Sequence, residues 1–218
     1  MKSAYLCDTF TKIFDSERLN FKYVIEAGSR DGLDSQQLSQ YFINANIHAF
    51  ECNPEMIDVC RKNITSNRIT FNPIGLGEEI CTKEFFAYHL DNNPGASSFY
   101  KRIDADYSQS SKGHISITTI FDYAKDVSNI DLLCMDVQGF ELNILKGCKD
   151  RINDIKYIIL EEPRKNINPV YLPPHLHSKY IGAPTAYEIQ DYLKAHNFKE
   201  LARTYENELE DNVLYKRL

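Results

Sequence analysis

The chain has 218 residues, 43% of them hydrophobic and 26% charged, with a formal net charge of −6. That length suits one α/β domain with a substantial core, and the acidic balance argues against a nucleic-acid binder, which carries a basic face. Six cysteines (7, 52, 60, 81, 134 and 148) form no C-x-x-C and no zinc spacing with histidine, and no apolar run approaches a membrane span. The expectation is a single cytoplasmic domain over 1–218, with 1–22 as a helical N-terminal extension.

Taken in order, Leu6, Phe10, Ile13 and Phe14 predict a helix that either packs ahead of the first strand or closes over a site. Residues 23–25 predict the first strand, which stops at Glu26. A turn with Gly28 and Gly32 then leads to a helix whose Leu38, Tyr41, Phe42 and Ala45 share one face. A strand feeding a helix through a glycine turn opens a nucleotide-binding α/β unit, and glycines let backbone come close to a ligand. A dinucleotide fingerprint would want glycine where this chain has Arg30, and Glu26 and Asp31 would repel a pyrophosphate while suiting a cationic ligand. The pattern E-x-G-x-x-x-G looks like the first motif of S-adenosylmethionine (SAM) methyltransferases; a plain glycine turn is the alternative.

Residues 47–50 predict a second strand ending at Glu51, where a carboxylate can accept both hydrogen bonds of a ribose diol. Asn53-Pro54 opens the next helix, with Met56, Val59 and Cys60. Residues 69–74 predict a third strand, with Gly75 and Gly77 behind it and its end beside the adenine if Glu51 holds the ribose. Residues 84–88 read as extended and 92–95 as a turn. The polar tract 96–114 reads as a surface loop or as a cap over the ligand.

A short strand at 115–117, a capping box from Thr119 to Asp122 and a fourth strand at 131–135 ending at Asp136 follow. Past Gly139 a helix turns Leu142 and Leu145 inward, and a fifth strand at 157–160 is closed by Glu161, Glu162 and Pro163. Residues 163–184 are proline-rich and hold His175 and His177. A capping box at Thr185 and Glu188 starts a helix with Ile189, Tyr192 and Leu193. The tail predicts a hairpin, 198–205 and 212–216, and that ending favours a methyltransferase sheet over a nicotinamide-dependent oxidoreductase, whose sheet would continue with parallel βα units. Four strands ending on acids put carboxylates along the edge where parallel sheets bind ligands.

The motifs Glu26-Ala27-Gly28-Ser29, Phe50-Glu51-Cys52-Asn53-Pro54, Asn72-Pro73-Ile74-Gly75, Gly95-Ala96-Ser97-Ser98, Thr118-Thr119-Ile120-Phe121-Asp122 and, most specific, Asp136-Val137-Gln138-Gly139-Phe140-Glu141 with Leu145-Lys146-Gly147 stand in one chain. Over roughly residues 20–165 it resembles the FkbM-type SAM-dependent methyltransferases. The resemblance implies the class I methyltransferase fold: α/β, with a seven-stranded, mostly parallel sheet, an antiparallel C-terminal hairpin and helices on both faces. It implies SAM bound by Glu26, Ala27, Gly28, Ser29, Asp31, Gly32, Glu51, Cys52, Asn53, Gly75, Asp136 and Val137. It also implies a small-molecule or glycan acceptor held by Ser97, Ser98, Gln138 and Glu141, with the methyl going to a hydroxyl of a sugar or glycan. Another small molecule, a lipid-linked acceptor or a SAM-binding module without catalysis are the alternatives. The chain departs from the family at Cys134, where many members carry lysine, and at Gln138, where others carry glutamate.

A sulfonium methyl is already activated, so alignment and removal of the acceptor proton are the tasks left to the protein. Asp136 is the first candidate for base or acceptor anchor, with a helix cap as its structural alternative. Glu161 and Glu162 come next, one of them pointing at the pocket. His175 and His177 are further base candidates, and Asp136, Glu162 and His175 a candidate divalent-metal set. Lys101, Arg102 and Lys112 are candidates for holding an anionic acceptor.

Overall fold

The computed structural model describes residues 3–90, 93–165 and 176–218. An N-terminal helix, α1 (Asp8–Ser16), precedes β1 (Tyr23–Ala27), α2 (Leu33–Tyr41), β2 (Asn46–Phe50), α3 (Ile57–Asn63) and β3 (Ile69–Asn72). Then come β4 (Gly75–Leu76), β5 (Cys81–Tyr88), α4 (Ala105–Ser108), β6 (Gln109–Thr118) and α5 (Ile120–Tyr123). The chain closes with β7 (Ile130–Met135), α6 (Glu141–Gly147), β8 (Ile155–Pro163), α7 (Ala186–Ala195), β9 (Phe198–Tyr205) and β10 (Glu210–Arg217).

Seven strands form the main sheet in the order β3-β2-β1-β7-β8-β10-β9. Neighbours from β3 through β8 are parallel, whereas β10 runs antiparallel to both β8 and β9. The predicted closing hairpin is therefore present, its second strand inserted beside β8. Chain order runs outward in opposite directions from the β1/β7 pair, and such a reversal opens a crevice outside the carboxyl ends of the strands. Ala27 pairs with Met135 there, and Asp136 N donates to the Ala27 carbonyl at 3.1 Å.

Every residue of β7 is buried, as expected of a central strand covered on both faces. Alternation splits the core. Ile25 and Ala27 face Ile144, Leu145, Ile189 and Leu193 of α6 and α7, while Val24 faces Phe10, Phe14 and Leu38 of α1 and α2. Phe14 meets Phe21, Phe42 and Tyr157 edge-on, at centroid distances of 5.6–6.3 Å. Burying each such ring contributes about 1.5–3 kcal/mol. The N-terminal helix thus packs against the sheet.

Two segments differ from the sequence reading. The tract 96–114 is neither simple loop nor simple cap. Its second half begins β6, which pairs antiparallel with β5 and parallel with β4 in a separate three-stranded sheet. All of β6 but Ile117 is half-buried or exposed, so its polar residues carry no apolar alternation and ladder bonds to β5 define it instead. The fifth strand also runs through Glu161 and Glu162, which sit opposite Asn212 and Asp211 of β10. They are inside a strand, not beyond its end, and so point to opposite faces.

Candidate functional site

A cleft opens where β1, β2 and β7 end, on the carboxyl edge where parallel sheets bind ligands. Its walls are Ala27, Gly28, Arg30 and Asp34 from the first turn, Phe50 to Asn53 and Met56 from the second, and Ile74 to Leu76 from the third. Asp136, Val137 and Phe140 come from the fourth, and Phe85 with residues 94–95 and 97–99 from the small sheet and its excursion. Glu51 is 8% exposed. Its Oε2 accepts from Arg30 N at 2.8 Å and its Oε1 from Asn53 N at 2.6 Å, leaving one lone pair on each oxygen. Burial pushes its pKa up to about 7, against the pull of those backbone amides. Phe85 meets Phe99 at 5.1 Å and Phe99 meets Phe140 at 4.9 Å, which makes an aromatic slot. Ser97 Oγ donates to the Pro94 carbonyl and accepts from Asn53 Nδ2, tying the excursion to the second turn. A buried diol acceptor, an aromatic slot and three carboxylates (Asp34, Glu51, Asp136) facing one cavity fit the hydroxyls, base and positive charge of SAM.

Not every expected SAM residue lines this cleft. Glu26 is fully buried beneath the turn, its Oε2 accepting from the hydroxyls of Ser29 and Ser35, while its Oε1 has no partner among the described residues. Burial, reinforced by Asp34, pushes it up to about 8. Glu26 and Ser29 hold the loop from behind. Asp31 Oδ1 accepts from Leu33 N, and a Cβ on Gly32 would come within 2.8 Å of Ile64, so both shape the entry to α2. Gly28 is in the cleft, but for another reason than ligand approach. At φ +86° a Cβ there would sit 1.9 Å from the Asp136 carbonyl oxygen, so the β1–β7 junction itself requires glycine. Asp34 and Arg30, which sequence reasoning passed over, do line the cleft. The first-turn position of Asp34, two residues past Gly32, was the available signal.

A second arm continues from the first and shares Arg30, Gly95 and Asp136 with it. Its walls include Gln138, Glu161, Lys179, Tyr180 and residues 206–210 of the β9–β10 turn. Gln138 organises the junction from a left-handed backbone, φ +55°. Tyr180 Oη donates to its Oε1 at 2.6 Å, which turns Nε2 toward both Asp136 Oδ1 at 2.5 Å and Glu161 Oε2 at 2.9 Å. Asp136 is exposed where the arms meet; the protein packed around it desolvates its carboxylate in part and raises its pKa, while Gln138 pulls it down. Burial and then the neighbouring charge of Asp136 raise Glu161 well above the carboxylate range. Of the expected acceptor residues, Ser97 and Ser98 line the first arm and Gln138 the second. Ser98 Oγ donates to the Gln138 carbonyl at 2.8 Å. Glu141 is buried, accepts from Val137 N and Gly139 N, and braces the turn without facing either arm.

The remaining candidates separate. Glu162 is completely buried on the α7 side, where its Oε2 accepts from Arg203 and Gln190, both at 2.7 Å, and its Oε1 from Tyr215 Oη at 2.5 Å. It is a packing hub, neither base nor metal ligand. His177 is exposed and its Nε2 lies 2.7 Å from the Ala183 carbonyl, outside both arms; His175 lies outside the described residues. Among the described residues no group of three or more His, Cys, Asp or Glu is placed to hold a metal, so the Asp136, Glu162 and His175 set gains no support. The cations proposed for an anionic acceptor are engaged: Arg102 with Asp104 at 2.8 Å, Lys112 with Glu55 at 2.6 Å, and Lys101 over the Phe86 ring. All six cysteines are free, and no helix among the described residues is long and apolar enough to cross a membrane.

The family model for the methyltransferase FkbM domain matches residues 26–200. No curated protein matches the sequence significantly. Solved structures share the fold at low identity. The N-terminal domain of EvdMO1, determined in the presence of S-adenosylhomocysteine (SAH) and D-fucose, is 10% identical with a TM-score of 0.52, over 100% of this chain and 84% of that one. An O-methyltransferase family 2 protein from Planctomyces limnophilus, in complex with apigenin, is 6% identical with a TM-score of 0.51, over 90% and 51%. The Methanococcus jannaschii fibrillarin pre-rRNA processing protein is 14% identical with a TM-score of 0.50, over 91% and 67%. At these identities the likeness is one of fold.

Proposed function

The chain belongs to the FkbM methyltransferase family, and from that premise we propose that it moves the methyl group of SAM to a hydroxyl of a sugar or glycan. SAM, when bound, supplies a methyl already activated by its sulfonium. What carries the acceptor assignment is the position of Asp136, the one carboxylate among the described residues common to both arms. Gln138 occupies Asp136 Oδ1, and no described residue donates to Oδ2. A hydroxyl in the second arm loses its proton to Oδ2 as it attacks. A base works best when its pKa approaches the working pH, and the raised pKa of Asp136 moves in that direction. Gln138 positions Asp136 and Glu161 together, so a proton taken by one is stabilised by the charge of the other.

The second arm is acidic, which disfavours phosphate-rich acceptors and favours hydroxyls, whose hydrogens carboxylates accept. One structural neighbour was determined in the presence of D-fucose, which makes neutral sugars natural first probes. The experiment is incubation with methyl-labelled SAM and a monosaccharide panel, with the label located by fragmentation mass spectrometry. Label on an oxygen is expected. Label on nitrogen or carbon, or transfer confined to RNA, contradicts the assignment.

A further inference from the structure

Five carboxylates line the acceptor arm, Asp136, Glu161, Glu206, Glu208 and Glu210, against the cations Arg30, Arg102 and Lys179. Arg102 is committed to Asp104 through two hydrogen bonds, and Arg30 lies 3.6 Å from Asp31. Arg30 also acts on Asp136 and Lys179 on Glu210, and the five acids still outnumber these cations. A cleft lined by one sign of charge concentrates ligands of the opposite sign. The second observation is Glu161 itself. It is 8% exposed, its Oε2 accepts from Gln138, and no described residue donates to its Oε1, which borders the cleft. A carboxylate so deeply desolvated, with one oxygen open, gains free energy when a charged donor reaches it.

That donor is not a metal ion, because these acids do not converge: among the described residues no three such groups are placed to hold one. Spread along one wall, they match an organic cation carried on a larger framework. Asn93 offers an amide for hydroxyls along the same arm, where the amides of Gln138 and Asn207 are already engaged. We propose that the acceptor is a hydroxylated amine, with an amino sugar as its compact member. Its ammonium pairs with the open oxygen of Glu161, in the field of Glu206 and Glu210 further along the wall, and its reacting hydroxyl meets Asp136. This deepens, and rests on, the hydroxyl-transfer reading above. An ammonium brings three donors, whereas a carboxylate or phosphate would meet more acids than cations along the wall.

The experiment is a ligand-observed NMR titration of the intact chain saturated with SAH, using D-glucosamine, D-glucose and D-glucuronate as probes at a pH where glucosamine is protonated. Glucosamine is expected to bind about tenfold more tightly than glucose, with glucuronate weaker still. The advantage shrinks as sodium chloride rises from about 50 to about 500 mM. In a Glu206→Gln, Glu210→Gln double variant, glucosamine and glucose come within about twofold of each other. Equal affinities, binding of none of the three, a preference for glucuronate, or a preference that survives the double substitution overturns the assignment. So does a preference that EDTA abolishes, because a metal would then carry it. Calorimetry with SAH on the same samples separates the two levels. SAH binding without an amine preference overturns the acceptor class alone, and absent SAH binding overturns the methyl-transfer reading with it.

Discussion

The two arms of the cleft are held in different ways. In the cofactor arm, backbone does the positioning. Glu51 is fixed by the amides of Arg30 and Asn53, and Gly28 lets the β1 turn lie against the Asp136 carbonyl. In the acceptor arm, side chains hold side chains: Tyr180 orients Gln138, Gln138 spans Asp136 and Glu161, Asn207 meets Glu210, and Asn212 meets Glu206. A backbone cradle tolerates sequence change only where its own turn survives, while a side-chain lattice can be re-chosen residue by residue.

Glu161 and Glu162, adjacent in β8, offer the strongest contrast in stability. Glu162→Ala takes the acceptor from Tyr215 and Gln190 while Arg203 keeps Glu200 and Asp211, and is expected to cost about 1–3 kcal/mol, the range for stranding a buried polar group. Glu161→Gln removes repulsion from Asp136 and is expected to stay within about 1 kcal/mol of the parent or exceed it. Urea unfolding of both variants measures the pair. Similar losses would mean that the acceptor wall is part of the core.

Within the cofactor arm, Glu51→Ala should weaken SAM binding by about 1.5–3 kcal/mol, or roughly ten- to a hundredfold, because the lost hydrogen bonds involve a charged group. Titration calorimetry on the folded variant reads it. Unchanged affinity would remove Glu51 from the ribose.

The smallest effect separates support from lining. Glu26 has its pKa raised by burial to about 8, so the native state keeps a proton that the unfolded chain has already lost above about 4.3. Stability then falls as pH rises through that window. Glu26→Gln should flatten the slope and melt higher than the parent near pH 9, although Glu51 and Glu141, raised to about 7 and about 8, keep part of it. A slope unchanged by the substitution would show that Glu26 is not the group titrating there.

Much of this was legible in the chain. The acids closing the second and fourth strands, the glycine turn and the closing hairpin reappear where expected, whereas Glu26 lies inside β1 and beneath the turn. What was lost is physical in kind. Residues 109–114 pair as a strand with both faces largely wet, so no apolar period marks them. The fate of Glu162 was readable in principle, since it shares strand parity with Ile158 and Leu160, which face α7, and Glu161 does not. The Tyr180–Gln138 contact joins residues 42 apart in sequence, and no local pattern announces it. Gly28 was read as letting backbone approach a ligand, whereas a side chain there would meet the Asp136 carbonyl at the neighbouring strand end.

The central claim is that Asp136, where the two arms meet, takes the proton of the acceptor hydroxyl. The direct test is the single-turnover rate of labelled methyl transfer by Asp136→Asn across pH, with SAM and acceptor saturating. SAM affinity should be retained while the rate falls about 10²–10⁴-fold. The parent rate should rise with pH through a value above the ordinary aspartate range, since the base must be deprotonated, and the variant should lose that rise. A variant with the parent rate and the same pH profile would contradict the account.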